Sequence, residues 1–162
     1  MKINIAISNL RLKPVFTLNR GEKLIKGGVI NNSVIYMACR DVKERFMCYY
    51  WRDINNDTIL YVGSVTKDYK GKSSNFWGRI RNYLNNHGKK TTNKHVFDEA
   101  NKMLLLSGIE VGVFSFSSCS IAQNKLTYKK CCIDPGKASV ICMIEEVLIC
   151  FYRTSHQCEW NK

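Results

Sequence analysis

Positions 137–153 hold an almost unbroken apolar run, from Ala138 and Val140 through Ile141 and Ile144 to Leu148, Ile149 and Tyr152, interrupted mainly by Glu145-Glu146. A helix of this composition must be covered around most of its circumference, so the rest of the chain has to offer it a broad apolar surface. That surface is expected from strands. Residues 1–8 alternate as a strand through Ile3, Ile5 and Ile7, and 13–18 reads as an extended or edge segment around Lys13-Pro14. After a turn-rich stretch at 22–32, further strands are expected at 34–39, 46–52 and 59–63, with Asn55-Asn56-Asp57 as a turn.

Helical spacing follows. Phe76, Trp77, Ile80, Tyr83 and Leu84 form one apolar face, with Ser73, Ser74 or Asn75 as N-cap and a stop near His87-Gly88. Val96, Phe97, Ala100, Met103 and Leu104 form a second, ending at Ser107-Gly108, after which Ile109, Val111 and Val113 alternate as a strand. A polar excursion fills 117–136. Strands first, then two helices, a strand and a helix define an α+β fold, a small central antiparallel sheet flanked by helices, rather than a doubly wound one.

No repeat or low-complexity linker divides the 162 residues, so a single domain is expected, with 1–33 as an N-terminal β extension and 34–162 as the core. Lys and Arg number 25 against 13 Asp and Glu, a net charge of +12. Such an excess draws polyanions and makes nucleic acid the leading partner class. A membrane surface is disfavoured, because neither a basic amphipathic face nor a long enough apolar run is present. The start of the chain reads as a strand rather than an export signal, which predicts a cytoplasmic protein whose eight cysteines are reduced. Cys131, Cys132, His156 and Cys158 match no common zinc spacing and are read as small apolar fillers.

Against this background, Val34-Ile35-Tyr36, Tyr61-Val62-Gly63, Arg79 within Phe76-Trp77-Gly78-Arg79-Ile80, Glu145 with Leu148 and Ile149 behind it, and Trp160-Asn161 occur in a fixed order. The series resembles the GIY-YIG nuclease superfamily, most closely its compact type II restriction members, over residues 33–161. Val34 stands where the first triplet has glycine. Between Tyr36 and Tyr61 lie 24 residues where the family has about ten, read here as an insertion in the hairpin, since a longer loop costs little. Tyr83 replaces a histidine that many members carry four residues after the arginine.

The resemblance implies metal-dependent hydrolysis of phosphodiesters. Glu145 would hold Mg²⁺ or Mn²⁺ beside the leaving oxygen, and Arg79 would pin the scissile phosphate. Tyr61 would take the proton of the attacking water, with Tyr36 orienting it and Tyr83 nearby. Lys72 is a further catalytic candidate. Lys67, Lys70, Lys89, Lys90, Lys129 and Lys130 would contact the DNA backbone, together with Asn161.

Taken singly, each residue also has an ordinary reading: strand tyrosines as core, Arg79 as a solvated charge, the lysines as solvated surface. Glu145 inside an apolar helix is the least ordinary, because an unpartnered buried carboxylate is costly. Glu146 could instead be the ligand, but it has Arg153 within reach as an ion-pair partner. The expected activity is a double-strand DNA endonuclease of restriction type acting as a homodimer on palindromic sites. The alternatives are a structure-specific repair, recombination or mobile-element nuclease, and a basic DNA-binding module without catalysis.

Overall fold

The computed structural model describes residues 11–24, 32–42, 47–66, 75–85, 92–115, 126–128, 131–133 and 138–161. Among the described residues these elements follow one another: β1 (Arg11–Leu18), α1 (Asn32–Arg40), β2 (Met47–Asp53), β3 (Thr58–Val65), α2 (Phe76–Asn85), α3 (Thr92–Met103), β4 (Ile109–Ser115), β5 (Leu126–Tyr128), β6 (Cys131–Ile133) and α4 (Ala138–Arg153). The class is α+β, as the element order predicts. The expected strand at 1–8 lies outside the described residues, as do Lys67, Lys70 and Lys72.

Four strands form one antiparallel sheet in the order β1-β4-β2-β3. Its two inner strands, β2 and β4, are buried on both faces, which explains why Met47-Cys48-Tyr49-Tyr50-Trp51 has no polar alternation. One face carries a core in which Tyr49, Trp51 and Val111 meet Ile35 and Cys39 of α1, Phe76, Ile80 and Tyr83 of α2, and Val96 and Ala100 of α3. The other face receives α4 through Ile141, Ile144, Leu148 and Ile149 against Cys48, Tyr50, Val62 and Phe114. The apolar run at 137–153 thus finds the broad surface it requires.

Two expectations need correction. Residues 34–39 are not a strand but the middle of α1, with Ile35 and Cys39 buried four apart while Val34 and Met37 face outward. Six apolar residues in a row carry no period, so the stretch suits either element. Met37 and Ala38 are good helix formers, and burial on one side of the turn decides the outcome. Within the excursion at 117–136, β5 and β6 pair as a short hairpin, Leu126 opposite Ile133. Lys129 and Lys130 fall between these strands, outside the described residues.

Strand β3 is an edge strand, and the segment after α4 covers part of that edge. His156 (φ 56°) and Cys158 (φ 59°) adopt left-handed backbone, and the chain turns to run beside β3. The Cys158 N–H donates to the Ile59 carbonyl (2.7 Å) and the Trp160 N–H to Leu60 (3.0 Å). Asn161 completes the cover with both ends of its amide: Oδ1 accepts from the Val62 N–H (2.9 Å) and Nδ2 donates to the Val62 carbonyl (2.7 Å). Covering an edge in this way removes a template for pairing with another chain.

Candidate active site

The β2–β3 register brings the site together. Tyr49 stands opposite Gly63 and Trp51 opposite Tyr61, while Leu60 is the extra residue of a bulge between Ile59 and Tyr61. The bulge turns Leu60 and Tyr61 toward the same core. A Cβ at Gly63 would lie 2.4 Å from the Tyr49 hydroxyl oxygen and 2.8 Å from the Tyr61 ring. Glycine is therefore required by the close approach of two tyrosines. Across the sheet, Gly112 makes the same room for Tyr50, whose hydroxyl donates to Glu110 (2.8 Å).

Helix α2 is started by Asn75, whose Oδ1 accepts from the Gly78 N–H (2.7 Å), and it lays Arg79 and Tyr83 over this pair. Arg79 Nε donates to the Tyr49 hydroxyl at 3.0 Å, and its guanidinium carbon sits 5.4 Å from the centre of the Tyr83 ring. The Tyr49 and Tyr83 hydroxyls hydrogen-bond directly, and Tyr83 donates onward to Tyr61 at 3.3 Å. Each phenol has one proton to give. The Tyr49–Tyr83 contact can form with either hydroxyl as donor. A connected chain results, from Arg79 through Tyr49 and Tyr83 to Tyr61. Such chains polarise cooperatively.

Burial pushes the Tyr49 and Tyr83 hydroxyls well above the usual phenol range, so both stay protonated and act as donors. The guanidinium of Arg79 is held charged chiefly by Tyr49, against the opposing effect of burial.

Glu145 reaches the same region from the α4 side. Its Oε2 accepts from Ser64 Oγ at 2.5 Å, and the Ser64 N–H also donates to it. It therefore continues the cover of the β3 edge one step beyond Asn161. Burial raises its pKa above the usual carboxylate value; the Ser64 hydrogen bond and the charge of Arg79 oppose the rise, and Glu146 adds to it. Glu146 itself is exposed, and Arg153 donates to the Asn161 carbonyl rather than serving Glu146. The two carboxylates differ in setting: Glu145 is held against Ser64 on the sheet face opposite the tyrosines, near enough to feel the charge of Arg79, and Glu146 is exposed.

Of the residues named from sequence, Tyr61, Arg79 and Tyr83 come together on one face of the sheet, and Glu145 meets β3 at Ser64 from the other. Tyr36 does not join the hydroxyl chain. It lies on α1, 39% exposed, with its ring against Trp77 at 5.2 Å. Asn161 is committed to the Val62 backbone, a structural latch at the border of the site. Lys67, Lys70, Lys72, Lys89, Lys90, Lys129 and Lys130 lie outside the described residues, and Lys94 pairs with Asp98.

Sequence reasoning missed Tyr49, which belongs to the hydroxyl chain that Tyr36 does not join. The signal was present: eleven residues separate Tyr49 from Tyr61, close to the short hairpin spacing, so no insertion is needed. Ser64, the hydrogen-bond partner of Glu145, was missed as well.

Among the described residues, no three His, Cys, Asp or Glu side chains cluster. Glu145 is thus offered as a single carboxylate, a donor set that fits Mg²⁺, which keeps several waters and takes few protein ligands. Comparison with known proteins finds no matching family model, no matching curated protein and no matching solved structure.

Proposed function

We propose that this protein is a metal-dependent DNA endonuclease of restriction type, with Tyr61 as general base, Arg79 as phosphate clamp and Glu145 as metal ligand. One observation carries the reading: the chain linking Arg79, Tyr49, Tyr83 and Tyr61 on one face of the sheet and the half-buried Glu145 on the other meet the same strand, β3, at Tyr61 and Ser64. It supports a site that handles a proton, an anion and a cation together.

Hydrolysis of a phosphodiester needs a deprotonated water and stabilisation of charge on the phosphoryl and leaving oxygens. Tyr61 ends this hydroxyl chain, so the negative charge left when its proton departs is shared along it. Arg79 spends Nε on Tyr49, which orients the guanidinium while its terminal nitrogens bind the phosphate. Tyr49, not Tyr36, is the second tyrosine of this scheme, and Tyr83 relays between the two. Glu145, held by Ser64, would bind Mg²⁺ or Mn²⁺, which when bound supplies Lewis-acid stabilisation of the leaving oxygen.

The net charge of +12 supports a double-stranded DNA substrate, and a homodimer would match palindromic sites. Digestion of plasmid and phage DNA with and without Mg²⁺ tests the reading. Discrete Mg²⁺-dependent bands are expected, with a loss of at least about a hundredfold in Glu145→Ala and Arg79→Ala. Preference for branched substrates would move the protein to the repair and recombination nucleases. Salt-sensitive DNA binding with no cleavage at all would leave only a binding module.

A further inference from the structure

The outer surface of α1 and α2 is unusual in its chemistry. Tyr36 packs edge-on against Trp77, their ring centres 5.2 Å apart. Arg40, one turn after Tyr36 on α1, and Arg81, one turn after Trp77 on α2, are both exposed. Met37 and Val34 extend the surface, 53% and 69% exposed. Over residues 32–42 and 75–85 the charged residues are Arg40, Asp41, Arg79 and Arg81, three positive against one negative. The face therefore shows the exposed Tyr36 ring, set edge-on against a partly buried Trp77 and flanked by two guanidiniums.

We propose that this face is a base-stacking platform for the DNA strand being cut. A second copy of the chain would bring guanidiniums against guanidiniums here. A nucleic acid strand instead supplies a base to the exposed ring and phosphates to Arg40 and Arg81, the pairing on which single-strand sites are built. Trp77 and Arg79 lie on opposite flanks of α2, by helical spacing. A strand with its phosphate at Arg79 must cross one helix, ~10 Å, to reach the platform. At roughly 3.4 Å per nucleotide this is about three steps. The platform would hold a base unstacked near the cut and so favour frayed, bent or single-stranded DNA. The position of that phosphate rests on the nuclease reading above; the stacking itself does not.

The test uses the full chain without divalent metal and short oligonucleotides carrying 2-aminopurine, single-stranded and as a blunt duplex. Tyr36→Ala is expected to weaken single-strand affinity about tenfold and to abolish the fluorescence change. The salt dependence of binding should be unchanged, because no charge is lost. Tyr36→Phe should bind as the parent does, and Arg81→Gln should lower the single-strand salt slope by about 0.7.

Parent-like binding by Tyr36→Ala overturns the platform. So does a Tyr36→Phe variant as weak as Tyr36→Ala, which would assign the effect to the hydroxyl. A smaller species for Tyr36→Ala than for the parent in sedimentation would reassign the face to a second copy of the chain. Tyr36 is exposed, and a melting temperature within about 2 °C of the parent checks folding. Tyr36-dependent binding without any Mg²⁺ cleavage would leave the platform and remove the nuclease. Cleavage that ignores Tyr36→Ala would do the reverse.

Discussion

Glu145 is a carboxylate that the fold disfavours in its charged form. Burial raises its pKa above the unfolded value, so ionisation costs folding free energy, and that cost has a definite pH window. Below the unfolded pKa the group is protonated in both states and no cost exists. As pH rises through the raised folded pKa the cost appears, and above it the cost is complete. Glu145→Gln keeps an acceptor for Ser64 and carries no charge. It should therefore melt above the parent at pH 7–8 by ~2–4 °C, what about 1 kcal/mol shifts in a chain of this size. The gap should close as pH falls toward the ordinary carboxylate range. Mg²⁺ should raise the melting temperature of the parent and not of Glu145→Gln, by linkage. Thermal melts across pH, with and without Mg²⁺, measure both effects; a variant less stable at every pH would show Glu145 to be a structural brace.

Strand β3 is where the elements meet. Its inner side pairs with β2, and its outer side is covered by the segment at 157–161 and then by Glu145. Asn161→Ala removes both amide contacts to Val62 and should cost ~1–3 kcal/mol. Because Val62 neighbours Tyr61 and Gly63, the loss should also lower cleavage; denaturant unfolding and digestion rates on the same preparation check the two together. Much of this was legible in the sequence. The edge strand at Pro14, the β2–β3 hairpin, α2 with its Asn75 cap, and α4 all follow from period and capping. Residues 34–39 were not legible, because an apolar run without polar interruption has no period to read. That error carried Tyr36 into the site and kept Tyr49 out. Tyr49 was hidden by its own surroundings, since in a strand buried on both faces a tyrosine with a chemical role looks like one that merely fills space. Only the hydroxyl contacts across α2 tell them apart.

For the molecule as a whole, the charge excess sets the terms of any encounter with DNA. Binding should weaken steeply with salt, each neutralised phosphate adding about 0.9 to the logarithmic slope. Anisotropy titrations of a duplex over a range of NaCl measure it, and a slope near zero would remove DNA as the partner. No helix among the described residues is long and apolar enough to cross a membrane. The latch on β3 has one more consequence, in time rather than space. Synthesis runs from β1 onward, so the hairpin with Tyr49 and Tyr61 emerges long before Glu145 and Asn161. A growing chain shorter than 161 residues therefore has an open strand edge and lacks part of the site.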